Sequence, residues 1–157
     1  MLTLEWEPVR RLLDEGIEDL MAAHWEEVAV DKTEIPFAPD WPRVFALEAQ
    51  KILYSAALRR DGRLVGYNAF HVLPHIHYRH STHAVNDVIY LDPDERGFAG
   101  IKLVKGTEAL LKELGVVKVM YRSKMHVKIG ARGESTIGDM LSHIGYRLDE
   151  EVFSKLI

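Results

Sequence analysis

A junction at residues 91–103, LDPDERGFAGIKL, places small and charged residues where an apolar strand gives way to a helix-like run. The small residues and the cations of this junction are Gly97, Ala99, Gly100, Arg96 and Lys102. Backbone amides at the start of a helix have no acceptor within the helix, and together with the helix dipole they suit a phosphate group. The junction therefore predicts a phosphate or pyrophosphate site. The alternative is that the small residues only allow close packing of a helix on a sheet.

A carboxylate lies just upstream of this junction, in the apolar stretch VNDVIYL. Such a group is costly among apolar strand residues unless it is paired or its pKa is raised. Groups in these settings are enriched at functional sites, so Asp87 is our first candidate for a general base. The alternative is an aspartate that Arg or His holds in place for structural reasons. Asn86 faces the other side of the strand and is a candidate to bind substrate.

A cluster of histidines precedes that strand, at His71, His75, His77, His80 and His83. Imidazole is a common metal ligand, but no acidic ligand lies at close spacing and no HExxH motif is present, so we predict no metal site. We expect structural histidines, with substrate contact or a proton relay as the alternative. His77 with its neighbour Tyr78, and His83, are the best candidates to line a cleft.

Length and composition limit the number of domains and the classes of function that the chain can have. The chain has 157 residues, of which 47% are hydrophobic and 28% charged, and this balance predicts one globular domain over residues 1–157. The absence of cysteine excludes disulfides and a Cys nucleophile. A net charge of -4 argues against broad nucleic-acid binding. Without a long apolar run or a signal-like N-terminus, we expect a cytoplasmic protein with no membrane segment.

The hydrophobic pattern predicts two N-terminal helical regions. Apolar residues from Val9 to Val28 recur on one helical face, and Gly16 marks a break within it. Asp40 is placed to cap the next helix, with Pro42 in its first turn.

The remainder of the pattern predicts alternating strands and helices. LYSAALRR and RLVGYNAFHVL form a hairpin around Asp61-Gly62, and THAVNDVIYL is a third strand. A helix follows over residues 100–114, then the strand VVKVMYR, the short helix STIGDMLSHIG, and one or two terminal strands in YRLDEEVFSKLI. The strand–helix–strand part should be parallel. We therefore predict an α/β fold with a mixed sheet of about six strands and helices on both faces.

Residues 64–157 resemble the GNAT superfamily of N-acetyltransferases. The resemblance rests on RLVGYNAF, on AVNDVIYLDPDERGFAGIKLVKGTEALLKELGVVKVMY and on MLSHIGYRLDEEVFSKLI. The variant HYRHSTHAVNDVIYLDPDERG with a terminal FSKLI is most similar to GNAT proteins carried by bacteriophages. The first 50 residues match only in having two helices.

This resemblance implies that acetyl-CoA is the cofactor. Its binding residues would then be Leu91, Arg96, Gly97, Phe98, Ala99, Gly100, Ile101 and Lys102. Two positions in this loop depart from the family pattern, because Ala99 stands where Gly is usual and Ile101 where Gly or Ala is usual. A third departure is Leu141, which occupies the place of the tyrosine that serves many members as general acid.

The implied reaction moves an acetyl group from the thioester to a primary amine by direct attack. Asp87 would act as base, with Ser123 and His83 as further catalytic candidates. The substrate-binding candidates are His77, Tyr78, Asn86 and Tyr90. The acceptor is a small-molecule or protein amine, and a homodimer is left open. Alternatives are a non-catalytic GNAT-like module that binds a partner protein and, less favoured, a His-dependent metal hydrolase.

Overall fold

The structure, a computed structural model, describes residues 1–129 and 135–157. The described residues form two compact units, Met1–Arg122 and Ser123–Ile157. The first unit contains β1 (Leu2–Trp6), α1 (Val9–Asp14), α2 (Ile17–Val28), α3 (Trp41–Ala49), β2 (Leu53–Arg60), β3 (Arg63–His75), β4 (Tyr78–Leu91), α4 (Phe98–Glu113) and β5 (Val116–Met120). The second contains α5 (Ile137–His143). The assignment of the whole chain to one domain stays a prediction.

One five-stranded sheet runs through the first unit in the order β1-β2-β3-β4-β5. The first four strands pair antiparallel and β5 pairs parallel to β4, which confirms the mixed sheet. The strand content differs from the prediction at both ends of the chain. We did not predict β1, although Leu2, Leu4 and Trp6 alternate with polar residues. The predicted terminal strands are wrong, since no strand is found in residues 146–157.

Residues 146–157 show why an alternation of apolar and polar residues is not enough to predict a strand. Leu148, Val152 and Phe153 are exposed rather than laid against a sheet. A period-two pattern gives a strand one apolar face, but the strand also needs a neighbour for its backbone hydrogen bonds.

The breaks in the N-terminal half follow from single residues. Gly16 adopts a φ of 82° between α1 and α2, in the left-handed region that favours glycine. The Asp40 carboxylate accepts a hydrogen bond of 3.1 Å from the Arg43 amide and so caps α3, as predicted. Asp61 and Gly62 both have positive φ in the turn between β2 and β3.

Helices cover both faces of the sheet. Ala57, Tyr67 and Tyr90 form one core cluster with residues of α1 and α2. Leu58 and Leu91 belong to another cluster with residues of α4. Adjacent residues of a strand point to opposite faces, so the sheet has an α2 face and an α4 face. None of the helices in the described ranges is long and apolar enough to span a membrane.

A buried ion pair joins the connection between β1 and α1 to β2. The Arg59 guanidinium donates to both carboxylate oxygens of Glu7, at 2.7 and 2.6 Å, and also contacts Glu15. The Glu7 side chain is 1% exposed and that of Arg59 is 10% exposed. A charge this deeply buried depends on its partner for stability.

We predict that Glu7→Gln lowers the free energy of unfolding by about 3 kcal/mol, at the low end for breaking a buried pair, because Glu15 still contacts Arg59. Chemical denaturation measures this change. Glu18→Gln, on the exposed side of α2, is the matched control and should change stability by less than about 0.5 kcal/mol. Equal effects of the two substitutions would show that the buried pair is not stabilising.

Candidate active site

The parallel strands β4 and β5 separate partway along the sheet. They pair from Thr82 with Val116 to Val85 with Met120, where β5 ends. β4 continues paired to β3 as far as Leu91. Its other edge therefore loses β5 as a partner beyond Val85. Backbone groups at a strand edge that has lost its partner can bind an extended ligand.

A bulge distorts β4 at the point where the strands separate. Ala69 pairs with Val88 and Phe70 pairs with Asn86, so Asp87 is an extra residue with no partner on β3. The Asn86 side-chain nitrogen lies 3.1 Å from the carbonyl oxygens of both Ala69 and Val88. One buried carboxamide thus bonds to both strands across the bulge and fixes its shape.

A buried polar network supports this carboxamide from the α4 face. The Asn86 nitrogen donates to Asn68 Oδ1 at 2.9 Å. Asn68 in turn donates to Thr107 Oγ1 at 3.2 Å and to the Tyr121 hydroxyl at 2.8 Å. The network therefore connects β3, β4, α4 and the residue after β5. Burial raises the pKa of Tyr121, so its phenol stays protonated.

The Asp87 side chain points away from this network and is 49% exposed. Its Oδ1 lies 4.0 Å from Nδ1 of His71, on the α2 face. The nearby imidazole agrees with the alternative of a structurally paired aspartate, and the exposure agrees with a base that substrate can reach. The catalytic role of Asp87 stays a prediction.

The N-terminus of α4 is open where the sequence predicts a phosphate site. Gly97 has a φ of 106°, and a Cβ added there would meet no atom of residues 1–129 or 135–157 within 4 Å. Phe98 is 77% exposed and begins the helix, so its amide and that of Ala99 have no carbonyl one turn earlier. The first turn carries no acidic residue. These residues fit a pyrophosphate group.

The other predicted cofactor residues lie partly in the hydrophobic core and partly in the first turn of α4. Leu91 and Ala99 belong to the core cluster that α4 makes with the sheet. Gly100 donates to the Gly97 carbonyl at 3.0 Å and closes the first turn, and Ile101 is half-buried.

Both cations of the loop have protein acceptors. Arg96 donates to the Leu91 carbonyl at 3.2 Å and to Glu27 at 2.5 Å. Lys102 donates to the Leu2 carbonyl at 2.5 Å. Neutralising a pyrophosphate would require either side chain to exchange its protein acceptor for the ligand.

The predicted substrate residues do not lie together. His77 and Tyr78 are at the tip of the β3–β4 hairpin, whereas Tyr90 is at the opposite end of β4, about 40 Å away at 3.3 Å per residue. Asn86 is buried and supports the bulge. Tyr90 stacks on His24 of α2, with ring centroids 4.8 Å apart.

His83 and Ser123 have local partners. His83 Nε2 lies 3.0 Å from Ser81 Oγ, its ring centroid lies 4.8 Å from that of His75, and burial lowers its pKa. It lies about 13 Å along β4 from Asp87, too far for direct contact. Ser123 belongs to the second unit, where its Oγ accepts a 2.9 Å hydrogen bond from the Gly138 amide. Catalytic roles for both stay predictions.

Sequence reasoning missed three residues near the bulge: His24, Tyr67 and Asn68. Asn68 anchors the polar network, and His24 Nδ1 lies 2.8 Å from the Tyr67 hydroxyl. The signal for Tyr67 and Asn68 was two adjacent polar residues inside an otherwise apolar strand, RLVGYNAF. Nothing in the local sequence of α2 pairs His24 with β3.

Comparisons with known proteins agree with this geometry. No protein-family model and no curated protein matches the chain. A ribosomal-protein-alanine N-acetyltransferase structure from Brucella melitensis biovar Abortus 2308 is 19% identical, with a TM-score of 0.69 over 100% of this chain and 99% of its own. An aminoglycoside acetyltransferase from an uncultured soil metagenomic sample, solved with sisomicin, is 18% identical, with a TM-score of 0.71 over 99% and 95%.

A third structure carries the cofactor that the resemblance implies. It is a predicted acetyltransferase from Clostridium acetobutylicum, solved with acetyl-CoA. It is 14% identical, with a TM-score of 0.61 over 99% of this chain and 96% of its own. At such identities the likeness shows a shared fold. The chain therefore has the mixed α/β fold of the GNAT N-acetyltransferases, as the sequence predicted.

We predict that Asn86→Ala lowers the free energy of unfolding by about 2 kcal/mol, because it removes a buried donor that the Asn68 oxygen and two backbone carbonyls share. Urea denaturation measures the loss. Asp87→Asn alters the neighbouring, half-exposed side chain and should change stability by less than about 0.5 kcal/mol. A neutral Asn86→Ala would argue against the carboxamide as the support of the bulge.

Proposed function

We propose that this protein is a GNAT acetyltransferase that uses acetyl-CoA to acetylate a primary amine. The observation that carries the proposal is the end of the β4–β5 pairing at Val85 and Met120, which leaves the rest of the β4 edge without β5 just before the open N-terminus of α4. A helix N-terminus alone is a weak indication. Here it lies next to a strand edge that has lost its partner, so one ligand can bind the helix amides with its phosphates and the strand edge with an extended arm.

The amides of Phe98 and Ala99 would hold the pyrophosphate of the cofactor. Acetyl-CoA supplies an acetyl thioester, whose carbonyl oxygen gains negative charge during attack by the amine. Amide groups on the open edge of β4 beyond Val85 are suited to stabilise that oxyanion. The bulge and its Asn86 support would position this edge before the substrate binds.

An alkyl amine has a pKa near ~10 and must lose a proton before it attacks at neutral pH. Asp87 is the base we propose, acting directly or through one water molecule. Its place at the bulge puts a solvent-accessible carboxylate beside the proposed thioester site. The acceptor, a small-molecule or protein amine, enters from the α2 face. The cytoplasmic location and the likeness to bacteriophage proteins stay predictions.

Removing one amide tests the cofactor site. Phe98 is the first residue of α4, where proline is well tolerated, so Phe98→Pro deletes an N–H group with little change in the helix. We expect a roughly tenfold loss of acetyl-CoA affinity by calorimetry, as for one hydrogen bond to a charged group. Phe98→Ala keeps the amide and is the control, with affinity within about twofold of the parent.

The calorimetric result also decides between the two functional classes. Equal affinities of the two Phe98 variants would place the phosphates elsewhere. No detectable binding at millimolar acetyl-CoA by the unmodified protein would contradict the enzymatic proposal and favour a protein-binding module.

Replacing the proposed base tests the chemistry. Asp87→Asn should lower kcat by about a hundredfold or more, the usual contribution of a general base, while leaving the dissociation constant for acetyl-CoA unchanged. Thiol release with an accepted amine measures the rate. Asp94→Asn, an exposed carboxylate in the loop before α4, is the control and should keep the parental rate. An Asp87→Asn enzyme with the parental kcat would exclude Asp87 as base.

A further inference from the structure

A cavity of about 150 Å³ lies on the α2 face of the sheet. Its lining residues are Met21, His24, Trp25, Val28, Phe37, Tyr67 and Val88. Phe37 is 40% exposed, so the cavity reaches the surface on the side of the loop between α2 and α3.

The cavity walls present carbon rather than polar atoms. Two polar groups of lining residues, His24 Nδ1 and the Tyr67 hydroxyl, lie 2.8 Å apart and bond to each other. Burial raises the pKa of Tyr67, so this phenol carries no charge. Lys32 lies at the rim, with Nζ 5.0 Å from the Trp25 ring centroid, and bonds to the Glu26 carboxylate. Among the residues that the structure describes, none that lines the cavity carries a carboxylate to receive a cationic group.

The position of the cavity suits the amine acceptor rather than the cofactor. α4, whose N-terminus is the proposed phosphate site, covers one face of the sheet, whereas the cavity lies on the other face. Val88 lines the cavity and directly follows Asp87 at the bulge. A group that fills the cavity would carry an attached amine toward that carboxylate.

We propose that the acceptor is a small amine bearing an uncharged apolar group, such as an arylalkylamine, and that this group binds in the cavity against Trp25 and Phe37. The volume matches a benzene-sized group, since apolar cavities of about this size bind benzene. A polycationic acceptor would place charges against apolar walls without a counter-ion. The role of the amine rests on the proposed function, whereas the affinity of the cavity for an apolar group does not.

The first experiment uses no catalysis. The probe is 2-phenylethanol, which has the ring but no amine, and the readout is the methyl NMR signal of Met21 in protein labelled at its methionine methyls. We expect a saturable shift of the Met21 signal, and none with glycerol. Val28→Phe fills the cavity and should weaken probe binding at least tenfold. Val30→Phe, the same change at a residue 50% exposed just beyond α2, is the matched control and should bind as the parent does.

The second experiment measures acetyl transfer from acetyl-CoA to 2-phenylethylamine, ethylamine and spermidine. We expect kcat/KM to be at least tenfold higher for 2-phenylethylamine, and Val28→Phe but not Val30→Phe to remove that preference. Phe37→Ala widens the cavity mouth and should raise the relative rate for 2-(1-naphthyl)ethylamine. This variant tests the same proposal if Val28→Phe does not fold.

The outcomes separate the two proposals. Saturable probe binding at Met21 without acetylation of any amine would sustain the cavity inference and contradict the proposed function. Acetylation of ethylamine or spermidine without probe binding would overturn the cavity inference and leave the proposed function intact. A Val28→Phe enzyme that changes its preference between acetyl-CoA and butyryl-CoA, with amine preference unchanged, would also overturn it, because the cavity would then receive the acyl group.

Discussion

The candidate site depends on one bulge in β4, where Asp87 is inserted opposite β3 and the side chain of Asn86 bonds to carbonyls on both strands. The extra residue changes which side chains share a face: Val88 and Asp87 both lie on the α2 side, while Asn86 stays buried on the α4 side. A regular strand would alternate all three. The bulge therefore exposes a carboxylate while keeping its polar support inside the protein.

The β4–β5 pairing ends next to this bulge, at Val85 and Met120. The polar network reaches Tyr121, the first residue after β5, through Asn68. Hydrogen bonds in a buried network are costly to break, because each partner left alone has lost its water. The network thus fixes the end of β5 at the point where the two strands part.

The two faces of the sheet have different proposed roles, one toward the cofactor and one toward the acceptor. α4 presents amides at its N-terminus, where Gly97 has a φ of 106° that suits glycine and where no atom of the described residues lies within 4 Å of a Cβ placed on it. α2 instead contributes aromatic and aliphatic side chains to a cavity in which His24 Nδ1 bonds to the Tyr67 hydroxyl. An anionic ligand and an apolar one are therefore suited to different faces, and the bulge lies between them.

Local chemistry in the sequence determined most of the elements and the open N-terminus of α4, which we propose as the phosphate site. The Asp40 cap, the Asp61-Gly62 turn, the break at Gly16 and the small residues before α4 each act within a few positions, so their effect is readable without the fold. The tertiary structure alone decided what depends on distant partners: the pairing of β1 with β2, the absence of terminal strands in residues 146–157, the contact of His24 with Tyr67, and the bulge at Asp87. Strand register and burial arise from residues far apart in the chain, and no local pattern specifies them.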